Sequence, residues 1–133
     1  MTNLVFFYGT LMSGFRRPGR TRLDQALKPL GRGWITAALF DLGIYPAAIP
    51  ASDGHVWGEV YEMAEPEEIL ETLDEIEGYS PREPETSLYR RVETLVTFGS
   101  GSAANAWVYF YNAPLGRAER IASGDYLQHL KVK

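Results

Sequence analysis

The fold class this sequence predicts is a small single-domain α+β protein. Its sheet is curved, mixed but mostly antiparallel, or a partial barrel, with one main helix. Three observations lead there. About five segments alternate or run apolar over strand-like lengths, and most are joined by short turns rather than by crossover helices. Only Pro66 to Glu77 has a clear helical period with start and stop signals. The chain of 133 residues is 45% hydrophobic and 23% charged, enough apolar material for a single core and too little charge for disorder.

Asn3 to Leu11 opens the chain. Leu4 to Phe7 is a continuous apolar run, too short for a helix and rich in β-branched and aromatic residues, so it reads as a buried strand. Tyr8-Gly9-Thr10-Leu11 ends it abruptly. Glycine permits a sharp turn or a close approach to a ligand. The turn is therefore either a plain strand end or one wall of a small-molecule site.

Gly14, Pro18 and Gly19 then mark a loop, Met12 to Arg22. Arg16, Arg17, Arg20 and Arg22 make it the most basic stretch of an acidic chain, either a solvated loop or a mouth that attracts carboxylates. Thr21 is placed to cap a short helix carrying Leu23, Ala26, Leu27 and Leu30, ended by Pro29 and Gly31.

Trp34 to Leu42 reads as a strand, with Trp34, Thr36, Ala38, Phe40 and Leu42 on one side. Gly43 to Pro50 is an apolar loop broken by Pro46 and Pro50, expected to pack over the core or line a pocket. Asp53-Gly54 is a turn. Val56 to Met63 is the next strand, with Gly58 as a bulge or a point of close approach.

The helix follows. Pro66 suits its first turn, Glu67 and Glu68 suit the positive end of its dipole, and Gly78 suits its C-cap. Ser80 to Thr86 is a polar loop. Tyr89 to Phe98 and Ala104 to Tyr111 alternate as two strands joined by Gly99 to Ser102. Leu115 to Leu130 is a short helix or coil broken at Gly124.

The helix also holds a carboxylate that faces unexpectedly. At about 100° per residue, with Ile69 at zero, the apolar stripe runs from about 340° through zero to about 100°. Ile76, Leu73 and Leu70 lie on it. Glu67, Glu68, Glu71, Asp74 and Glu75 fall between about 140° and 260°, and Glu77 falls near 80°. Glu77 is thus expected to be the only acid of the helix aimed at the core. Burial and the negative end of the helix dipole both raise a carboxyl pKa, which suits proton exchange near neutrality. The alternative is a frayed last turn that releases Glu77 to water.

Composition excludes several classes. A net charge of -4 argues against general nucleic-acid affinity. An OB-like single-strand binder would need a basic groove with interleaved aromatics, whereas the arginines here cluster in one loop. The absence of cysteine excludes thiolate nucleophiles and Cys-based zinc sites, and fits a reducing cytoplasm. Two histidines do not suggest a metal centre. No signal peptide or membrane span is expected. Oligomeric state is not legible.

Taken in order, these motifs resemble the γ-glutamylcyclotransferase family, including its AIG2-like branch and the γ-glutamylamine cyclotransferases. The resemblance covers nearly all of residues 1–133. It rests on Tyr8-Gly9-Thr10-Leu11 after the first strand, Gly58-Glu59-Val60-Tyr61, and Leu73-Asp74-Glu75-Ile76-Glu77-Gly78-Tyr79. It continues through Tyr89-Arg90-Arg91-Val92, Val108-Tyr109 and Ser123-Gly124-Asp125. The resemblance implies a small mixed α+β fold around a curved sheet. It implies a cofactor-free, metal-free reaction in which the α-amine of a γ-glutamyl group attacks its own γ-carbonyl, releasing 5-oxoproline and an amine or amino acid. It implies Glu77 as the catalytic acid and base, the Tyr8, Gly9, Thr10 and Leu11 loop as the γ-glutamyl cradle, and Tyr89 and Tyr109 beside the pocket. A second expectation keeps the fold and the pocket without turnover, as a binding or regulatory module.

Overall fold

A computed structural model describes residues 2–9, 11–12, 23 and 25–131. The Arg16, Arg17, Arg20 and Arg22 loop and Thr10 lie outside the described residues, as does the Thr21 cap.

The strands are β1 (Leu4–Phe7), β2 (Leu27–Asp41), β3 (Pro46–Met63), β4 (Tyr89–Phe98), β5 (Ala103–Tyr111) and β6 (Glu119–Arg120). The helices are α1 (Pro66–Glu77) and α2 (Tyr126–Lys131), with a short 3-10 turn at Pro84–Thr86. The sheet order is β3-β1-β5-β4-β2-β6, and β3 also pairs with β2. Five strands therefore close on themselves as a small barrel, and β6 extends one edge beside β2. The β1–β5 pair is parallel and every other pair is antiparallel. This is the mostly antiparallel curved sheet expected.

β2 and β3 form the long arm of the barrel, paired from Leu27↔Met63 to Asp41↔Pro46. The register shifts twice. One shift falls between Pro29 and Gly31, where a proline with no N–H to donate is tolerated. The other inserts residues 51–54 between Pro50, opposite Ala37, and His55, opposite Thr36. Such bulges bend strands and allow so few of them to close. Glycines admit the tightest approaches. A Cβ on Gly33 would lie 2.8 Å from the Thr97 carbonyl oxygen, where β2 meets β4. One on Gly58 would overlap the Phe7 carbonyl oxygen, so the close approach expected there is real.

Two expectations are corrected. Leu27 to Leu30 are not helical but open β2, since Leu27, Lys28 and Pro29 pair with Met63, Glu62 and Tyr61. Long-range pairing overrides the local helical spacing, and Leu30 stays 41% exposed instead of completing an apolar face. The apolar stretch Gly43 to Pro50 becomes strand from Pro46 onward. Ala47 and Ala48 are fully buried, so it covers the core as expected, but as ladder rather than loop. On β2 the buried face is Ile35, Ala37 and Leu39, with Ala38 also enclosed, while Trp34 and Phe40 are half-buried.

The core gathers Val5, Phe6 and Phe7 of β1 with Ile35, Leu39, Val56, Val60, Val96 and Val108, and the apolar face of α1 through Ile69, Leu70 and Leu73. The Ser123-Gly124-Asp125 segment anchors the C-terminal end. The Gly124 carbonyl accepts the Trp57 N–H at 2.8 Å, and a Cβ on Gly124 would collide with the His55 carbonyl. Asp125 pairs with Arg32 and accepts the Gln128 N–H at 3.2 Å at the start of α2.

Candidate active site

β1 delivers Tyr8 into the core, where it is 6% exposed. Its hydroxyl donates to the Tyr109 carbonyl at 2.6 Å and accepts the Ala48 N–H at 3.3 Å. One side chain thus ties β1, β3 and β5 together. Gly9 follows, and a Cβ there would come within 2.9 Å of the Pro46 ring, so only glycine lets the turn lie against the start of β3. The Met12 N–H closes the turn on the Gly9 carbonyl at 3.0 Å, and Leu11 and Met12 are buried as its apolar anchors.

The other half comes from α1. Gly78 adopts a left-handed φ of 70° and stops the helix. Its N–H reaches the Glu75 carbonyl at 3.4 Å, and the Tyr79 N–H reaches the Asp74 carbonyl at 2.9 Å. The turn is formed rather than frayed. The loop beyond is bound to the β4 and β5 ends. The Leu88 N–H donates to the Gly78 carbonyl at 3.0 Å, and the Asn112 side-chain amide donates to the Pro84 and Ser87 carbonyls, each at 3.0 Å. That returns the chain to Tyr89 beside the helix end.

Glu77 is half-buried there. Its charge is felt by the three tyrosines singled out in the sequence. Burial pushes the Tyr8 phenol far above its ordinary value and the Glu77 carboxylate pushes it further, while the Ala48 N–H pulls slightly back. Tyr89 is raised by burial, then by Tyr8 and Glu77. Tyr109 is raised by burial, then by its hydrogen bond to Asp74 and the Asp74 charge, with Glu77 adding to them. Glu77, Tyr8, Tyr89 and Tyr109 therefore share one electrostatic neighbourhood, with Gly9 and Leu11 on the turn that leaves Tyr8.

All three phenols remain neutral, and all three protons are already directed to protein acceptors. Tyr8 donates to the Tyr109 carbonyl, Tyr89 to the Pro46 carbonyl at 3.1 Å, and Tyr109 to the Asp74 carboxylate at 2.6 Å. Tyr45 and Tyr111 flank Tyr89, with ring centroids 6.1 Å and 5.3 Å away.

One expectation about the helix fails. Glu77 is not the only acid of α1 turned inward, because Asp74 is buried, at 7% exposed. Asp74 lies just beyond the edge of the apolar stripe, and the strands supply what its charge needs. Arg91 on β4 donates from Nε at 2.8 Å and Nη2 at 3.2 Å, and Tyr109 donates from the opposite strand. A charge buried with several hydrogen bonds is tolerable where a lone one is not. Helical period alone could not reveal it. The available signal was Arg91, a charged residue within a strand, in a motif whose neighbours were already singled out.

A family model described as "Gamma-glutamyl cyclotransferase, AIG2-like" matches residues 5–128. The chain belongs to this family. The gamma-glutamylcyclotransferase family protein YtfP of Escherichia coli is 36% identical over 128 residues, covering 96% of this chain and 98% of the relative. An AIG2-like protein of Mus musculus superposes with a TM-score of 0.65 at 28% identity, over 84% of this chain and 80% of its own. YkqA of Bacillus subtilis superposes with a TM-score of 0.73 at 25% identity over 99% of this chain, which spans 42% of YkqA. The cyclotransferase fold in this chain thus accounts for the strand order and the curved sheet.

A separate cavity of about 480 Å³ lies along β2, β3 and α2, lined by Met12, Leu27, Trp57, Glu59, Tyr61 and Leu127 among others. Neither Glu77 nor Tyr8, Tyr89 or Tyr109 lines it. Among the described residues, no group of three or more His, Cys, Asp or Glu side chains is gathered to hold a metal ion. No described helix is long and apolar enough to cross a membrane.

Proposed function

We propose that this chain is a γ-glutamyl cyclotransferase-type enzyme that releases 5-oxoproline from a γ-glutamyl amine or a γ-glutamyl peptide, with Glu77 as general base and acid. The observation that carries this reading is the common neighbourhood of Glu77 with Tyr8, Tyr89 and Tyr109, at the meeting of the β1 turn and the α1 end. Family membership supports a cyclotransferase-type role.

The chemistry needs little beyond this. Nucleophile and electrophile belong to one substrate, so the protein mainly holds a folded conformer. The substrate α-amine, with a pKa near 8, arrives mostly as the ammonium. Glu77 takes a proton, the freed nitrogen attacks the γ-carbonyl carbon, and a tetrahedral intermediate forms. The bond to the leaving nitrogen then breaks as Glu77 returns that proton to it, and the attacking nitrogen gives its remaining extra proton to water. The products are the five-membered lactam and a free amine, and no oxidant or metal enters the balance.

The tyrosines do not compete for that proton traffic. Each hydroxyl proton is held by a protein acceptor, so these phenols present lone pairs and apolar ring surface. In this reading the backbone N–H groups of Gly9 and Leu11 bind the substrate α-carboxylate or the developing oxyanion.

The direct experiment offers the purified chain a γ-glutamyl amine, a γ-glutamyl dipeptide and the matching α-linked dipeptide, with 5-oxoproline as the readout. Release from a γ-linked compound and none from the α-linked control is expected. Binding of 5-oxoproline without turnover of any γ-linked compound would instead favour a non-catalytic binding module.

A further inference from the structure

Two residues in the sequence motifs have no role in the reaction as written, Asp74 and Arg91. They meet each other. The Asp74 carboxylate receives Arg91 Nε at 2.8 Å, Arg91 Nη2 at 3.2 Å and the Tyr109 hydroxyl at 2.6 Å. Asp74 stands one helical turn before Glu77, on the turn that Gly78 terminates. The Arg91 guanidinium lies 4.6 Å from the Trp107 ring centroid and 5.5 Å from that of Tyr79, two residues after Glu77. Arg91 thus contacts the chain on both sides of Glu77, at Asp74 in α1 and at Tyr79 just beyond it. Burial alone would lower the Arg91 guanidinium, but the Asp74 hydrogen bonds and charge leave it above its ordinary value.

The same network reaches the other half of the site. Tyr109 gives its hydroxyl proton to Asp74 and receives the Tyr8 hydroxyl on its backbone carbonyl at 2.6 Å. The path from the Glu77 turn to the Tyr8 turn is therefore Asp74, Tyr109, Tyr8, all buried. We infer that Asp74, backed by Arg91, is a positioning residue. It sets the Glu77 carboxylate relative to Tyr8 and fixes the Tyr109 hydroxyl as a donor to Asp74. This rests on the function proposed above for its kinetic consequence, but not for its mechanical one.

A merely structural ion pair and a positioning pair differ in what compensation restores. Removing one partner strands a buried charge, whereas removing both relieves it. The test compares wild type, Asp74→Asn and the double variant Asp74→Asn with Arg91→Met. It measures melting temperature, kcat and KM for 5-oxoproline release, and amide hydrogen exchange at Gly78 and Tyr79. Asp74→Asn is expected to lower the melting temperature and to cut kcat about 100-fold, as misplacement of a catalytic group by about 1 Å does, with KM within about threefold of wild type. The double variant should recover most of the melting temperature while kcat stays low and both amides exchange at least about tenfold faster than in wild type.

Recovery of kcat together with the melting temperature would overturn the inference, as would unchanged exchange at Gly78 and Tyr79 in the double variant. A wild-type protein that releases no 5-oxoproline refutes the proposed reaction instead. The exchange rates then still decide whether Asp74 holds the Glu77 turn.

Discussion

Tyr8→Phe is the perturbation whose size follows most directly from the structure. The substitution keeps the ring and its packing, including the contact with Phe6 at 6.5 Å between centroids, and deletes only the hydroxyl. Two backbone groups lose a partner. The Tyr109 carbonyl loses a 2.6 Å donor and the Ala48 N–H loses a 3.3 Å acceptor, in a region closed to water. An unsatisfied buried polar group costs about 1–3 kcal/mol. The longer Ala48 bond falls at the low end, and the phenol oxygen no longer has to be desolvated, so the sum is about 2–3 kcal/mol. For 133 residues the unfolding entropy is about 280 cal/mol/K, so the melting temperature should fall by about 7–11 °C. Thermal unfolding followed by circular dichroism, with urea titration to check that the m-value is unchanged, measures this directly. A fall of less than about 2 °C would show that Tyr8 does not bridge β1, β3 and β5 as described.

Other outcomes follow from the same geometry. Tyr8, Tyr89 and Tyr109 all have raised pKa values in the folded protein, so the folded state keeps protons that unfolded tyrosines lose at about pH 10. Stability is therefore full below about pH 10 and falls above it by about 4 kcal/mol per pH unit for the three together. Denaturant titrations at successive alkaline pH values should show that slope, and a flat profile to pH 12 would contradict it. Gly58→Ala should destabilise by about 3 kcal/mol, because the new methyl overlaps the Phe7 carbonyl and meets the Phe6 ring, and the barrel wall has no slack there. A stability within about 0.5 kcal/mol of wild type would mean that β1 and β3 are less closely apposed.

What could be read in advance was whatever the chain specifies locally. β1, β4, β5 and α1 are segments whose period, caps and punctuation agree with their tertiary setting. Pro66, Gly78 and Gly58 each occupy the position their backbone chemistry suggested. Residues 27–30 misled because their apolar spacing fits a helix, while the decisive partner, β3, begins on the far side of a hairpin. Pro46 and Pro50 misled in the other direction, since prolines suggest a loop, yet Pro46 sits opposite Asp41 at the end of the ladder and Pro50 opposite Ala37 beside the register shift. Of the candidate site, Glu77, Tyr8, Tyr89 and Tyr109 come together around one charge, and Gly9 and Leu11 lie on the adjoining turn. Asp74 was read as solvent-facing because a helical projection sees only its own element. Its partners, Arg91 and Tyr109, lie 17 and 35 residues further along. A buried charge is made acceptable by whatever the rest of the fold brings to it, and that is where reading one segment at a time ends.

The proposed reaction stands or falls on Glu77. The most direct measurement is 5-oxoproline release by Glu77→Gln beside wild type, on whichever γ-linked compound wild type turns over, with melting temperatures recorded for both. Glutamine keeps the shape of the side chain and cannot take the proton of the α-amine. A loss of kcat of about 10²–10⁴-fold with little change in melting temperature is expected. A Glu77→Gln protein that turns over at the wild-type rate would contradict it.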